Sequence, residues 1–275
     1  IGELIAEVVG KVGKDGLVTV EESRGPDTYV EYKQGFEFGR GFYSNYFVTK
    51  GDKGEAVIED PYILITDIKI NNEPQIVPFL ENLLRKNIRN LVIIGDVQEQ
   101  ALSTLVINKL KGNINVVAVQ APGYGENQIH ELEDIAILTG GTVISKDTGR
   151  ELKSVLPEEL GRATKFIATI ESSKIIEGRG NEALVKIRVE DIQKSIEYEK
   201  TPYNKNLKKQ RLARLSGTVA IIYVGAQSDP ELADRKERVD DALNATKSAV
   251  EEGIVPGGEM TLLYISQALN WPTTS

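Results

Sequence analysis

The sequence predicts an α/β fold, in which a domain with a layered βαβ sheet and flanking β segments is inserted into a discontinuous α+β domain. Short apolar runs alternate with helical stretches of about 10–15 residues, which is typical of βαβ units. Hydrophobic residues make up 40% of the chain and charged residues 27%, as in ordinary globular proteins. The segments before Gly35 and after Gly217 differ in character from the middle, so we expect them to pack together.

The predicted elements begin with a helix over 1–12, where apolar residues recur at helical spacing, and a strand over 17–21. After Pro61, apolar runs predict strands at 62–68, 90–95, 115–120 and 142–145. Helical patterns lie between them at 75–86, 98–111 and 126–138. Further strands are expected at 165–170, 174–176 and 218–224, and further helices at 181–199, 203–215 and 230–252.

Composition excludes several classes of function. The formal net charge of −8 argues against nucleic acid and against a membrane as partners, because both require a basic surface. No apolar run approaches the ~20 residues that span a bilayer. The chain has no cysteine, which excludes thiolate chemistry, and its single histidine, His130, argues against a multi-histidine metal site. We therefore predict no metal site.

One half of a nucleotide site stands near the end of the chain. The stretch 237–258 predicts a long helix that carries Asp241 toward a glycine turn. The other half would be a glycine-rich phosphate loop, but the sequence has no G-x-x-x-x-G-K-[ST] run and no G-x-G-x-x-G that opens a helix after a strand. We therefore expect the chain to be a piece of a larger machine.

Two of the predicted helices carry more apolar surface than one core contact needs. In the helix at 75–86 apolar residues cover roughly 160° of arc, and in the helix at 98–111 roughly 240°, against the stripe of about 100° that a core-facing helix requires. Ile76, Phe79 and Leu83, with Ala101 and Leu105, suffice to dock the two helices on the sheet. This leaves a second set facing elsewhere: Val77, Leu80, Leu84, Leu102, Val106 and Ile107.

The second set has two interpretations from spacing alone. A third layer of structure covers it, or it forms an exposed apolar groove that binds protein. The aromatic segment 41–47 is either core filler or the completion of that groove.

Four runs of residues resemble the GroEL-type (group I) chaperonins, in the order and at the spacing of that family. They are 39–47 (GRGFYSNYF), 121–125 (APGYG), 138–145 (LTGGTVIS) and 239–246 (VDDALNAT). The similarity extends over about residues 1–268, and the runs together are highly specific. It implies an apical domain at 34–217, a discontinuous intermediate domain at 1–33 and 218–252, and the start of a second equatorial segment at 253–275.

The resemblance also implies roles for individual residues. It places the surface that binds clients and a ring-shaped co-chaperonin on Phe42, Tyr46, Phe47, Val77, Leu80, Leu102, Val106 and Ile107, which coincides with the second apolar set and favours the exposed groove. The hinges are implied at Gly35, Gly217 and Gly253, although the first two also fit ordinary turns. Arg40 and Asp229 match a charge pair between neighbouring subunits.

For nucleotide chemistry, the resemblance implies that Asp241 orients the water that attacks ATP, with Mg²⁺ on the phosphates. Gly257 and Gly258 match the turn that approaches the nucleotide, whereas Glu259 stands where the family usually has a third glycine. The family's phosphate loop would precede Ile1, so we expect neither tight ATP or Mg²⁺ binding nor ATPase activity from this chain alone.

The predicted function is thus that of an ATP-dependent protein-folding chaperonin, classed as an isomerase. Its partners would be non-native polypeptides, a co-chaperonin ring and identical subunits in a double ring. The expected compartment is the bacterial cytoplasm, or alternatively the mitochondrial matrix or plastid stroma. Two rival hypotheses are a stand-alone binding module and an α/β enzyme with its active site at the ends of strands 90–95 and 115–120. In the enzyme, Asp96 would be a catalytic acid, but it also fits an N-cap for the helix that starts at Gln98.

Overall fold

A computed structural model describes residues 1–13 and 17–268 of the chain. The last part of the predicted segment 253–275, residues 269–275, lies outside the described residues. Within them, the helices are α1 (Gly2–Val12), α2 (Glu73–Arg85), α3 (Glu99–Leu110), α4 (Glu126–Thr139), α5 (Glu182–Tyr198), α6 (Pro202–Leu215), α7 (Asp229–Glu252) and α8 (Met260–Ala268).

The strands confirm the predicted α/β class, because they alternate with helices through the middle of the chain. They are β1 (Leu17–Glu22), β2 (Tyr29–Phe38), β3 (Ala56–Glu59), β4 (Tyr62–Ile70), β5 (Asn90–Val97), β6 (Asn115–Val119), β7 (Val143–Ile144), β8 (Gly161–Ala168), β9 (Ser173–Gly178) and β10 (Thr218–Val224).

The chain divides into two compact units. Among the described residues, the smaller unit contains 1–13, 18–31 and 221–268, and the larger contains Leu17 and 32–220. The assignment of these parts as intermediate, apical and equatorial domains, with the boundaries given above, stays a prediction.

The larger unit is built on a mixed sheet with the strand order β2-β9-β8-β4-β5-β6, with β3 beside β8 and β7 beside β4. β4, β5 and β6 are parallel, whereas β8 runs antiparallel to β3, β4 and β9. The crossover helices α2 and α3 join β4 to β5 and β5 to β6, as predicted for βαβ units. Because both faces of β5 are covered, its sequence is a continuous apolar run with nearly every residue buried.

The other helices of the larger unit form a separate group. α4 packs on β4 and β7, and α5 and α6 form an antiparallel pair that contacts α4. In the smaller unit β1 lies beside β10, and α1 packs against α7. The buried residues of these two helices are Ile5 and Val8 on α1 and Val239 and Leu243 on α7.

Most predicted elements are present with ends shifted by only a few residues. The prediction missed β2, β3 and α8, and it began β8 too late in the sequence. No helix within 1–13 and 17–268 is long and apolar enough to cross a membrane.

Candidate functional site

The aromatic segment after β2 is fixed to the sheet by its backbone. Phe42 N donates to Thr169 O at 3.0 Å and Tyr43 N donates to Ala118 O at 3.1 Å. A Cβ atom on Gly41 would lie 2.2 Å from Thr169 O, so only glycine permits this approach. The segment therefore has one defined position beside the carboxyl ends of β5 and β6.

That position bears on the enzyme hypothesis. Phe42 bridges to Val119 at the end of β6, and Tyr43 Oη donates to Gly95 O on β5 at 2.9 Å. Burial raises the pKa of Tyr43 to about 12, so its hydroxyl stays protonated as a donor at neutral pH. The strand ends where an α/β enzyme would have its active site are occupied by the protein's own chain.

Asp96 does not cap α3, and this part of the prediction is wrong. The N-cap is Gln98, and Asp96 belongs to β5, where it accepts from Gln98 Nε2 and lies 3.7 Å from Lys69 Nζ. The strand continues two residues further than the apolar run suggested, which moves the start of the helix beyond the reach of Asp96.

Residues 45–47 form a short 3-10 turn that separates two aromatic rings. Ser44 Oγ accepts from Tyr46 N at 3.3 Å, and Phe47 N donates to Ser44 O at 3.0 Å. Phe47 is fully buried, whereas 67% of Tyr46 is exposed. The turn thus anchors itself with one ring and presents the other to solvent.

Helix α2 begins at a capping box. Gln75 N donates to Asn72 Oδ1 at 3.2 Å, and Gln75 Oε1 accepts from Asn72 N at 3.3 Å. The predicted docking residues Ile76, Phe79 and Leu83 are buried, which confirms their assignment. Leu80 was expected on the outer side but is only 5% exposed, so that expectation is wrong. The short turn at Leu152–Ser154 also packs on α2, and the helical period alone gives no sign of it.

Helix α3 lies beside α2. Thr104 Oγ1 donates to Glu73 Oε1 at 3.2 Å, and Ala101 N donates to Asn71 O at 3.2 Å. Ala101 and Leu105 are buried as predicted. Leu102 and Val106 are half-buried against the core, and 48% of Ile107 is exposed.

The structure leaves a set of apolar side chains partly or largely exposed on α2, α3 and the 45–47 turn, which itself packs on α3. We call this set the α2–α3 surface; it consists of Tyr46, Val77, Leu84, Leu102, Val106 and Ile107. Five of the eight residues predicted to bind clients belong to it. The other three, Phe42, Phe47 and Leu80, are buried in the core beneath it and expose little area in this conformation.

Two of the predicted hinge glycines meet in the larger unit. Gly35 N donates to Gly217 O at 3.2 Å, and a Cβ on Gly35 would lie 1.7 Å from Val219 Cγ2. Close packing therefore requires glycine at position 35, whatever motion occurs there. Gly253 ends α7 with φ 87°, a conformation that favours glycine. The hinge role of all three stays a prediction.

Arg40 and Asp229 were predicted to pair between subunits. The Arg40 guanidinium stacks on the Tyr124 ring at 4.6 Å and makes no ion pair within the described chain. Asp229 is the first residue of α7. Their pairing involves a second copy of the chain and stays a prediction.

The predicted nucleotide residues are exposed. Asp241 lies on α7 and has no ion pair or hydrogen-bond partner for its carboxylate among the described residues. Gly258 has φ 63°, and a Cβ at Gly257 or Gly258 would meet nothing within 4 Å. Glu259 also has φ 63°, the region that glycine adopts without strain. The parts of the chain that the structure describes hold no group of three or more His, Cys, Asp or Glu placed to bind a metal.

A buried ion network joins α4, α5 and α6, and sequence reasoning missed it. Asp134, with 1% of its side chain exposed, accepts from Arg188 Nε at 2.8 Å and from Arg211 Nε at 2.7 Å. Arg214 pairs with Glu131 at 2.9 Å, and burial raises the pKa of Glu131 against the opposing effect of Arg214. A signal was present, because the acids at 131 and 134 and the arginines at 211 and 214 share the same i, i+3 spacing.

The chain was compared with models of known protein families. The sequence model of the TCP-1/cpn60 chaperonin family covers residues 2–274. Because this is nearly the whole chain, the chain belongs to that family.

Proposed function

We propose that this member of the TCP-1/cpn60 chaperonin family holds non-native polypeptides on its α2–α3 surface, as part of a GroEL-type chaperonin. Family membership gives the chain a role in protein folding. The finer proposal concerns which surface does the binding, what competes for it and how ATP controls it.

One observation carries the proposal. Apolar side chains stay exposed on an ordered scaffold: α2 is capped, α3 is tied to α2 and the 45–47 turn is fixed by its backbone. A partly unfolded polypeptide exposes apolar side chains without a fixed order. Apolar burial is non-directional, so a surface of this kind binds many such sequences.

The three buried residues of the predicted set have a different role in the proposal. Phe42, Phe47 and Leu80 lie under the surface and hold its shape. The contacts to client are made by Tyr46, Val77, Leu102, Val106 and Ile107. A co-chaperonin ring that docks on the same residues competes with the client, and its arrival releases the client.

ATP hydrolysis is assigned to Asp241 in the assembled chaperonin. Its carboxylate is exposed and unpaired within the described chain, so it is able to accept a hydrogen bond from a water and orient it. Gly257 and Gly258 offer backbone without side chains, which suits close approach to a nucleotide. Mg²⁺-ATP, when bound, supplies the phosphoanhydride bond that is cleaved. Glu259 is the residue least suited to this site, because its carboxylate repels phosphate and its backbone has a conformation that glycine prefers.

The experiment compares two double variants in suppressing the aggregation of a chemically denatured client. Tyr46→Ser with Ile107→Ser removes the two most exposed residues predicted to bind client. Leu184→Ser with Ile187→Ser is the matched control, because these α5 residues are 53% and 54% exposed. Circular dichroism verifies that both variants fold.

We expect the wild type and the α5 control to suppress aggregation and the Tyr46/Ile107 variant to lose most of this activity. Equal activity of the two variants would refute the assignment of the surface. Inactivity of the wild type would refute client binding by this chain.

A further inference from the structure

Lys109 joins α3 to the 45–47 turn and to β6. It follows Leu102 and Val106 on α3 at the spacing i, i+4, i+7, so it belongs to the same stripe of the helix. Its Nζ donates to Phe47 O at 2.7 Å and to Val116 O on β6 at 3.4 Å. The same ammonium lies 5.7 Å from the centroid of the Phe47 ring, within the range of a cation–π contact.

The surroundings of Lys109 contain no carboxylate that pairs with it within the described chain. β6 has no titratable residue, and the 45–47 turn has only Tyr46. On α2, Glu73 accepts from Thr104 and Glu81 pairs with Arg85. The other charged residues of α3 and its C-cap are Glu99 and Lys111. Burial without a compensating anion lowers the pKa of Lys109 to about 8.

The contact with Phe47 O connects two elements that bear exposed apolar groups. Phe47 ends the turn that presents Tyr46, whereas Lys109 belongs to the helix that presents Val106 and Ile107. A hydrogen bond from an ammonium to a carbonyl is stronger than one from a neutral amine. Docking of the turn also buries this ammonium, and the cost of burying the charge exceeds the gain from the stronger bond, which is why the pKa of Lys109 is lowered.

We propose that Lys109 is a positioning residue of the α2–α3 surface, which fixes the 45–47 turn on α3 and thereby sets how tightly the surface holds an apolar peptide. The inference rests on the proposed function. Lys109 itself does not contact the client; it acts through the placement of Tyr46 relative to Val106 and Ile107.

Its consequence is a dependence of affinity on pH. Because docking of the turn buries Lys109 and lowers its pKa, docking is favoured once the amine is neutral, so the affinity should rise as the pH rises through about 8. Because guanidinium stays protonated throughout this range, arginine at position 109 would remove the dependence and keep the donor.

The test measures the binding of a fluorescent peptide that contains Leu, Phe and Ser but no ionisable side chain, by anisotropy at pH 7 and pH 9.5. For the wild type we expect Kd to fall about fivefold from pH 7 to pH 9.5, because the neutral amine favours the docked turn. Lys109→Arg should bind equally at both. Lys109→Met should bind about fivefold more weakly than the wild type at pH 9.5, where the wild-type amine still donates to Phe47 O, and its own Kd should be the same at both pH values.

Lys111→Met is the matched control, because Lys111 is exposed at the end of the same helix. It should keep both the affinity and the pH dependence of the wild type. If Lys109→Met has the same affinity and pH profile as the wild type, the inference is wrong while client binding stands. If the wild type binds no peptide at either pH, the proposed function falls and the role of Lys109 with it.

A second measurement does not depend on peptide binding. Between about pH 8 and 10.5 the unfolded chain keeps a proton on Lys109 that the folded chain has lost, so the free energy of unfolding should rise with pH relative to that of Lys109→Met. If Lys109→Met fails to fold, Lys109→Arg takes its place as the reference and its flat binding profile remains the test. If the free energy of unfolding of the wild type changes with pH in the same way as that of the reference, Lys109 is not a buried amine without a paired carboxylate.

Discussion

Two helical layers of the larger unit differ in how their outer faces are completed. The outer face of α4 is covered by α5 and α6, and its buried acids Asp134 and Glu131 pair with arginines from these helices. On α2 and α3, apolar residues such as Ile107 and Leu84 remain exposed. Apolar content alone does not separate these layers. What separates them is whether another element, with matching charges, packs on the outer face.

The larger unit thus divides two tasks between its two helical layers. A buried ion network demands partners in defined positions and is costly to break, so it suits a layer that keeps one arrangement. An apolar surface without charges accepts many partners, so it suits a layer that binds variable sequences. The capping box of α2 and the bond from Thr104 to Glu73 keep the second layer ordered without covering it.

The largest effect is expected from breaking the α4–α6 layer. Asp134→Ala should lower the free energy of unfolding by about 3–5 kcal/mol, because it leaves Arg188 and Arg211 without their shared buried carboxylate. Urea unfolding at pH 7 measures the loss. Glu133→Ala is the control, since Glu133 is 43% exposed and its pair with Arg188 should contribute about 1 kcal/mol or less. If both variants lose the same free energy of unfolding, the buried ion pairs of Asp134 contribute no more to stability than the exposed pair of Glu133.

The next effect concerns the order of the apolar layer. Asn72→Ala removes the side-chain acceptor of the α2 capping box and should cost about 0.5–2 kcal/mol in urea unfolding. Asn72→Ser keeps an acceptor at the N-cap and should restore most of the stability. If serine and alanine are equally destabilising, the cap does not hold α2.

A smaller effect, confined to binding, is expected from Ile107→Ser. About half of this side chain is exposed, so removing its contact with a peptide should cost about 1 kcal/mol, or roughly a fivefold rise in Kd. The free energy of unfolding should change by only about 0.5 kcal/mol or less. Ile187→Ser on α5 should leave both quantities unchanged. A loss of stability as large as the loss of binding would show that Ile107 serves the core.

The smallest effect at neutral pH belongs to a surface counterpart of the buried network. The Arg150 guanidinium hydrogen-bonds both oxygens of Glu159 and holds the pKa of that carboxyl at about 2. This pKa is lower than the ordinary pKa of a glutamate, 4.5. The pair therefore contributes its full stabilisation above about pH 4.5, and this contribution is lost as the pH falls toward 2. The difference in unfolding free energy between the wild type and Arg150→Met should therefore shrink between pH 5 and about pH 2. A difference that is constant with pH would contradict the assignment.

The parallel strands and their crossover helices could be predicted because their apolar patterns are local. β5 and β6 are buried on both faces and read as continuous apolar runs. β2 was missed because Lys33, Gln34 and Glu37 interrupt its apolar residues, and it becomes a strand by pairing with β9, more than 130 positions later.

The candidate site was predictable in its exposed part only. Helical spacing identified Val77, Leu102, Val106 and Ile107, because the apolar residues of each helix cover a wider arc than the stripe that faces the core. Spacing cannot show that Leu80 is buried, nor that Lys109 reaches Phe47 O, because both depend on segments distant in sequence. The pairing of Asp134 with Arg188 and Arg211 depends in the same way on three helices meeting.

Photo-crosslinking shows directly whether the α2–α3 surface contacts non-native polypeptide. A benzophenone amino acid is placed at position 107 on α3 or, in a matched protein, at position 187 on α5, and each is irradiated with a denatured client. Crosslinks from position 107 that greatly exceed those from position 187, and that disappear when the client is folded, are the predicted result. Equal crosslinking from both positions, or crosslinking from position 187 alone, would contradict the account.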